Sequence, residues 1–215
     1  MKALDGVVPH MFRDRTDAGE QLADTVERHG VDPDIVLTIP RGGLPVGRVV
    51  ADRFDAPLDV VVARKIGAPS NPELALGAVA EDGSVWRNDG LIEQVTTSDT
   101  QFENERSRTR EAAREKANRY RDGSFPSLAG KRVAVVDDGL ATGATMRACL
   151  QCVRAADPEQ IAVGVPVGPA DRLDGLREDA DEVICVETPA SFRAVGAYYE
   201  RFGQVSDEEA MTYLE

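Results

Sequence analysis

Residues 133–145 read VAVVDDGLATGAT: four apolar residues, two adjacent aspartates, then a run of Gly, Ala and Thr. Such a short continuous apolar run marks a strand covered on both faces, as in a parallel sheet between layers of helices. In open α/β sheets ligands bind beyond the carboxyl ends of the strands, which is where Asp137 and Asp138 stand. The glycines that follow permit close backbone approach, and successive N–H groups together with the N-terminus of the next helix form an anion cradle. Thr142 and Thr145 add hydroxyl donors. A phosphate therefore belongs just past the strand, with the carboxylates beside it. Two acids next to a phosphate make sense for a ligand that also carries hydroxyls or a cation, and a ribose phosphate with Mg²⁺ supplies both. Competing patterns fail on their residues: no Lys precedes the final Thr, so GxxxxGK[ST] is absent, and GxGxxG is absent both here and at "RGGLPVG". The plain alternative is an acidic turn cap with glycines for geometry.

Working outward, strand and helix patterns alternate. "DIVLTI" (34–39) and "LDVVVAR" (58–64) read as strands flanking a helix over 45–54, and an amphipathic helix over 15–29 precedes them. "RVAVVDD" (132–138), "IAVGVPV" (161–167) and "DEVICVE" (181–187) are strands, separated by helices over 145–156 and 170–178. This alternation predicts right-handed βαβ units: an α/β, doubly wound, mostly parallel sheet. Between the halves, the "IGAPSNP" part of "KIGAPSNPELALGAVAEDG" reads as a mobile loop. A charged helix over 102–120 places Arg106, Arg110 and Arg114 on one face, read as a solvated surface. The segment from Thr188, with three of the four tyrosines, reads as a small cap at one end of the sheet.

A chain of 215 residues suits one such domain with small appendages, and no apolar run approaches the length of a membrane span. The N-terminal stretch lacks the apolar core of a signal peptide, so the expectation is a soluble, cytoplasmic protein. A net charge of −13 repels nucleic acid and anionic membranes. Lys2, Lys65, Lys116 and Lys131 are the only lysines; this acidic, Lys-poor composition is what a high-salt cytoplasm favours, although high genomic GC content also enriches Arg. Cys149 and Cys152 lie one turn apart in a predicted helix with no second ligand pair, and read with Cys185 as small buried thiols. The two histidines, His10 and His29, lie far from the glycine-rich turns, which argues against histidine acid–base chemistry.

"VVDDGLATGAT" resembles the phosphoribosyl pyrophosphate (PRPP) motif of the type I phosphoribosyltransferases. The wider chain is similar to a group of phosphoribosyltransferases known mainly by sequence, through "FRDRTDAGEQLA", "IPRGGLPVG", "RKIGAPSNPELALGAVAEDG" and "FRAVGAYYERFGQVSDEEA". The resemblance implies that Asp137 and Asp138 hold the ribose 2- and 3-hydroxyls. The loop Gly139, Ala141, Thr142, Gly143, Ala144 and Thr145 would hold the 5-phosphate. Arg41, Gly42 and Gly43 would form the pyrophosphate loop, and Arg64 and Lys65 would open a flexible lid, about 65–80, that includes Ser70, Asn71 and Glu73. A helical insertion spans about 88–122. Phe192, Val195, Tyr198 and Tyr199 fall in a C-terminal hood, about 188–215, that recognises the acceptor. Mg²⁺ would be the cofactor, held through PRPP and waters, with Asp137 and Asp138 as candidate contacts.

The chemistry fits these residue types: negative charge grows on departing pyrophosphate, and Mg²⁺, Arg41 and Lys65 would stabilise it while the lid excludes water. The expected activity is therefore transfer of phosphoribose from PRPP to a nitrogenous base, a purine before a pyrimidine, by a homodimer. One alternative is a PRPP-binding regulator without catalysis, disfavoured by the charge and by the short stretch before the first strand. The other is a nucleotide-binding or phosphohydrolase domain using the acidic pair for metal.

Overall fold

The computed structural model describes residues 12–68, 71–95, 99–121 and 123–215. Ser70 and His10 lie outside the described residues, as does the side chain of Glu73. In chain order the elements are α1 (Arg15–Arg28), β1 (Ile35–Thr38), α2 (Gly43–Arg53), β2 (Leu58–Val60), β3 (Ala63–Ala68), β4 (Asn71–Ala80), β5 (Val85–Arg87), α3 (Asp89–Gln94), α4 (Asp99–Tyr120), β6 (Arg132–Val136), α5 (Ala144–Ala155), β7 (Gln160–Val167), α6 (Ala170–Leu176), β8 (Glu182–Glu187) and α7 (Asp207–Thr212).

Five strands pair in parallel in the order β2-β1-β6-β7-β8. The period of two along each strand divides the core. Val36, Ala134, Val136 and Ala162 pack on Leu22 and Val26 of α1 and Val46 and Val50 of α2. The alternate residues Leu37, Val135, Ile161 and Val163 pack on Met146, Cys149 and Leu150 of α5 and Leu176 of α6. The sheet is thus doubly wound, as the apolar runs predict, and Cys149 and Cys152 are buried packing thiols.

This order has its switch point between β1 and β6. After β1 the chain turns into α2 on one face; after β6 it turns into α5 on the other. The two connections part and leave a crevice beyond the carboxyl ends of these neighbours, where α/β proteins bind ligands. Ile39 N–H donates to the Val136 carbonyl at 3.1 Å, so the strand ends remain tied just below the crevice.

The middle of the chain differs from the sequence-based expectation. The second strand stops at Val60 rather than running to Arg64, and α2 begins at Gly43 rather than Pro45. Val61 N–H still donates to Thr38 O, but the Val62 N–H is taken by the Glu81 carboxylate, and the chain leaves the sheet. From Ala63 it enters a second, antiparallel sheet, β3-β4-β5. The expected open loop is therefore an ordered β3–β4 hairpin on both sides of residues 69–70, which lie outside the described residues. One face, Ala78 and Ala80, joins the core with Leu37 and Val135; the other, Ile66 and Val79, packs on Ile92 and Phe102. Arg121 clamps this junction, pairing with Asp59 at 3.2 Å and with Glu81, and donating to Val60 O at 3.0 Å.

Of the arginine face predicted on α4, Arg106 and Arg110 donate to the Gly83 and Asp82 carbonyls at the β4–β5 turn. The face is solvent-exposed at Arg110 and Arg114, as expected, while Arg106 and Arg110 also tie the hairpin turn to the helix. Residues after β8 fold back over the sheet end, where Phe12 N–H donates to Tyr198 O and Glu200 N–H to Phe12 O, both at 2.8 Å. Among the described residues, no helix is long and apolar enough to cross a membrane.

Candidate active site

Asp137 and Asp138 follow β6 directly and project into the crevice. Asp138 N–H donates to Asp137 Oδ1 at 2.8 Å, which fixes the first carboxylate across the turn. Asp138 Oδ2 accepts from Arg15 Nε at 2.8 Å, and the two side chains are only 14% and 11% exposed. Arg15 is itself held, donating from Nη1 to Gly203 O at 2.8 Å and lying 3.9 Å from the centroid of the Phe202 ring.

The turn after β1, residues 40–43, faces the acidic pair across the switch point, and its Pro40–Arg41 peptide is cis. A Cβ on Gly42 would collide with the Asp138 carboxylate, and one on Gly43 would lie 3.0 Å from Val136 O and 3.1 Å from Asp137 Cα. Both glycines are explained by this close approach of turn and acidic pair, not by a positive φ.

Between the turn, β3 and α4 lies a cavity of about 620 Å³ reached by Arg41, Arg64, Lys65 and Asp137, with Thr145 at its edge. The expected pyrophosphate cations thus converge beside the expected ribose acid. The cavity also contains residues that the sequence reading did not single out. Helix α4 turns Ala112, Glu115, Lys116 and Arg119, spaced i, i+3, i+4 and i+7, onto its wall. Lys116 Nζ donates to Pro40 O at 2.6 Å. Asp207, the first residue of α7, accepts from Tyr120 Oη at 2.6 Å and lies 3.5 Å from both Arg41 and Arg119. No local signal in the sequence marks these groups, because each enters from an element distant along the chain.

On the other side of the acidic pair, Gly143 adopts φ 78° and caps α5, so the helix begins at Ala144 with its first N–H groups facing the crevice end. Ala141 and Thr142 are exposed at the loop tip, and Leu140 N–H donates to Val167 O at 2.8 Å to hold the loop base. Gly139 packs directly on Val195, where a Cβ would meet the Val195 methyls.

The hood residues divide. Tyr198 and Tyr199 are 4% and 5% exposed. The Tyr199 hydroxyl donates to Asp138 O at 2.6 Å and that of Tyr198 to Ser191 O at 2.9 Å. These rings are core, supporting the site from behind, rather than an open stacking face. Phe192, stacked on Tyr198 with centroids 5.7 Å apart, and Val195 are the partly buried members of this cluster.

Electrostatically the pair is costly in the unliganded protein. Burial pushes the Asp137 carboxyl well above the usual carboxylate range and the adjacent Asp138 adds to it, with Lys116 and Arg15 opposing. Burial also raises Asp138, against the pull of Arg15. The Lys116 ammonium is pushed down by burial, then by Arg64 and Arg41. Two carboxylates held together at a strand end, Asp138 paired with Arg15 and Asp137 open to the cation-lined cavity, mark a candidate ligand site.

Among the described residues, no three His, Cys, Asp or Glu side chains converge to hold a metal ion. Asp137 and Asp138 are the carboxylates at the crevice able to contact a cation brought in by a ligand.

The parallel α/β sheet thus presents two acids, a glycine-containing loop and a cation-lined cavity together at its switch point. The "Phosphoribosyl transferase domain" family matches residues 13–200, and the chain belongs to that family. A Mycobacterium tuberculosis protein named "Putative phosphoribosyl transferase" is 42% identical over 208 residues, covering 95% of this chain but 46% of its own length. The chain thus spans about half the length of the curated relatives it matches. The crystal structure of TT1426 from Thermus thermophilus is similar at a TM-score of 0.81 and 41% identity, covering 95% of this chain and 97% of that one. A purine phosphoribosyltransferase from Pyrococcus horikoshii shares the fold at a TM-score of 0.50 and 15% identity.

Proposed function

We propose that the protein transfers the phosphoribosyl group of PRPP to a nitrogenous base and releases pyrophosphate. The observation that carries this reading is the convergence, at one switch point, of the acidic pair, the 139–145 anion loop and a cavity reached by five cationic side chains, Arg41, Arg64, Lys65, Lys116 and Arg119.

In this mechanism the loop amides and the α5 N-terminus bind the 5-phosphate, with Thr142 and Thr145 as hydroxyl donors. Asp137 and Asp138 accept hydrogen bonds from the ribose hydroxyls, and Arg15 aims Asp138 and opposes the upward push of burial on its carboxyl. A ring nitrogen of the base donates its lone pair to the anomeric carbon as the carbon–oxygen bond to pyrophosphate breaks, and the ring N–H proton of the base is released to solvent. The leaving oxygen keeps the bonding electrons. Arg41, Arg64 and Lys65 neutralise that charge as it develops, which favours the transition state over the ground state. Asp137 and Asp138 would be the carboxylates near a Mg²⁺ brought in with PRPP, which would supply Lewis-acid neutralisation of the leaving group's charge. The base stacks beside Phe192 and Val195, where the hood meets Gly139, and purines head the acceptor panel.

The test is incubation with PRPP, Mg²⁺ and individual purine and pyrimidine bases. Nucleotide and pyrophosphate should appear in equal amounts and vanish in the doubly substituted Asp137→Asn, Asp138→Asn protein. Failure with every base, by folded protein, would overturn the reading.

A further inference from the structure

Lys116 is a half-buried cation of the cavity that comes from the C-terminal part of α4 and is tied to the turn after β1. Its single hydrogen bond among the described residues, to Pro40 O at 2.6 Å, uses one of three N–H donors. The helix turns the same face, from Ala112 to Arg119, to the cavity, and the small Ala112 leaves space in front of it. Arg41 is 41% exposed and engaged by Asp207, while Arg64 and Lys65 ride on the exposed positions of β3. Lys116 by contrast is held in place on a helix 22 residues long, whose Ala113, Ala117 and Tyr120 are packed against Val60, Val62 and Leu44.

We propose that Lys116 is a catalytic residue, the preset cation that contacts the departing pyrophosphate and is supplied by the helical insertion rather than by the lid. The inference rests on the PRPP reading above and deepens it. Asp137 and Lys116 then divide the two halves of the ligand at the breaking bond, the carboxylate on the sugar and the ammonium on the leaving group. An ammonium already held by the Pro40 carbonyl needs little reorganisation as negative charge develops, which makes a fixed donor of this kind worth about 100-fold or more in turnover.

The alternative role is structural: Lys116 would merely tie Pro40 O to α4. Lys116→Gln keeps a donor able to reach that carbonyl but removes the charge, and Lys116→Arg keeps the charge. Calorimetric titrations with Mg²⁺-pyrophosphate and, separately, with ribose 5-phosphate read the two halves of the site on the same folded protein. Lys116→Gln should bind pyrophosphate at least about tenfold more weakly and ribose 5-phosphate within about twofold of the parent, with kcat down by about 100-fold; Lys116→Arg should restore most of both losses. Unchanged pyrophosphate affinity and kcat in Lys116→Gln would overturn the assignment, as would equal weakening of both ligands. A parent protein that binds ribose 5-phosphate but not pyrophosphate refutes this inference alone; one that binds neither refutes the PRPP reading and the inference with it.

Discussion

Arg15, the first residue of α1, donates to Asp138 Oδ2 at 2.8 Å across a sequence separation of 123 residues. The same guanidinium binds Gly203 O and packs on Phe202, so one side chain joins the N-terminal helix, the acidic pair and the hood. Arg15→Met should leave Asp138 without its cation. Orphaning one member of a largely buried pair costs about 3 kcal/mol, the lower end of the usual range because Asp138 can take up a proton. Turnover should fall by about 100-fold, since small misplacements of a substrate-holding group carry that cost. Arg15→Lys should recover part of both, as read by denaturant unfolding and by initial rates.

The raised pKa of Asp137 makes stability and activity oppose each other. A carboxyl whose native pKa lies above its unfolded value, about 4, binds protons more tightly in the folded state, so stability falls as pH rises through that window. Asp137→Asn removes this cost while preserving an acceptor for the Asp138 N–H. The variant should be inactive yet melt a few degrees higher at pH 7, about 1 kcal/mol corresponding to roughly 2–4 °C for a chain of this size. The advantage should shrink toward pH 4, as thermal melts across pH would reveal.

Much of this was legible from residues 133–145, because a doubly covered strand and a glycine-rich anion loop are local patterns. Arg41 with the glycines, and Arg64 with Lys65, were named from the family resemblance, and the structure brings their side chains to one cavity. The β3–β4 hairpin was not: its pairing shifts register on both sides of Gly67, and Gly, Pro and Asn around the bulges mask the period of two. Lys116 was hidden for a different reason. Its partner Pro40 O is 76 residues away, and nothing in the local charge pattern of α4 separates it from the arginines that pin the β4–β5 turn. Tyr198 and Tyr199, named as candidate acceptor contacts, are buried, because their hydroxyls are satisfied by the Ser191 and Asp138 carbonyls.

Gly42 and Asp138 cannot both keep their places if a methyl group is added. Gly42→Ala should push the Asp138 carboxylate off Arg15 and reduce kcat/KM for PRPP by about 100-fold, while stability changes by about 1–3 kcal/mol as for other overpacked sites. A Gly42→Ala protein with unaltered kcat/KM would mean that Asp138 is not used in the geometry described.

Arg121 offers the opposite behaviour. It pairs with Asp59 and Glu81 where the second sheet leaves the first, at 11% exposure and outside the cavity lining. Arg121→Met strands two acids and should cost about 3–5 kcal/mol in urea unfolding. Below the denaturation range its KM for PRPP should stay within about twofold of the parent value.

The central claim, that the switch-point crevice binds PRPP and releases pyrophosphate, is tested most directly by following nucleotide and pyrophosphate together from PRPP, Mg²⁺ and a panel of bases in high KCl. Equal appearance of both with at least one base, lost on Asp137→Asn with Asp138→Asn, is the predicted result. No nucleotide from any base, together with tighter binding of ATP than of PRPP, would contradict it.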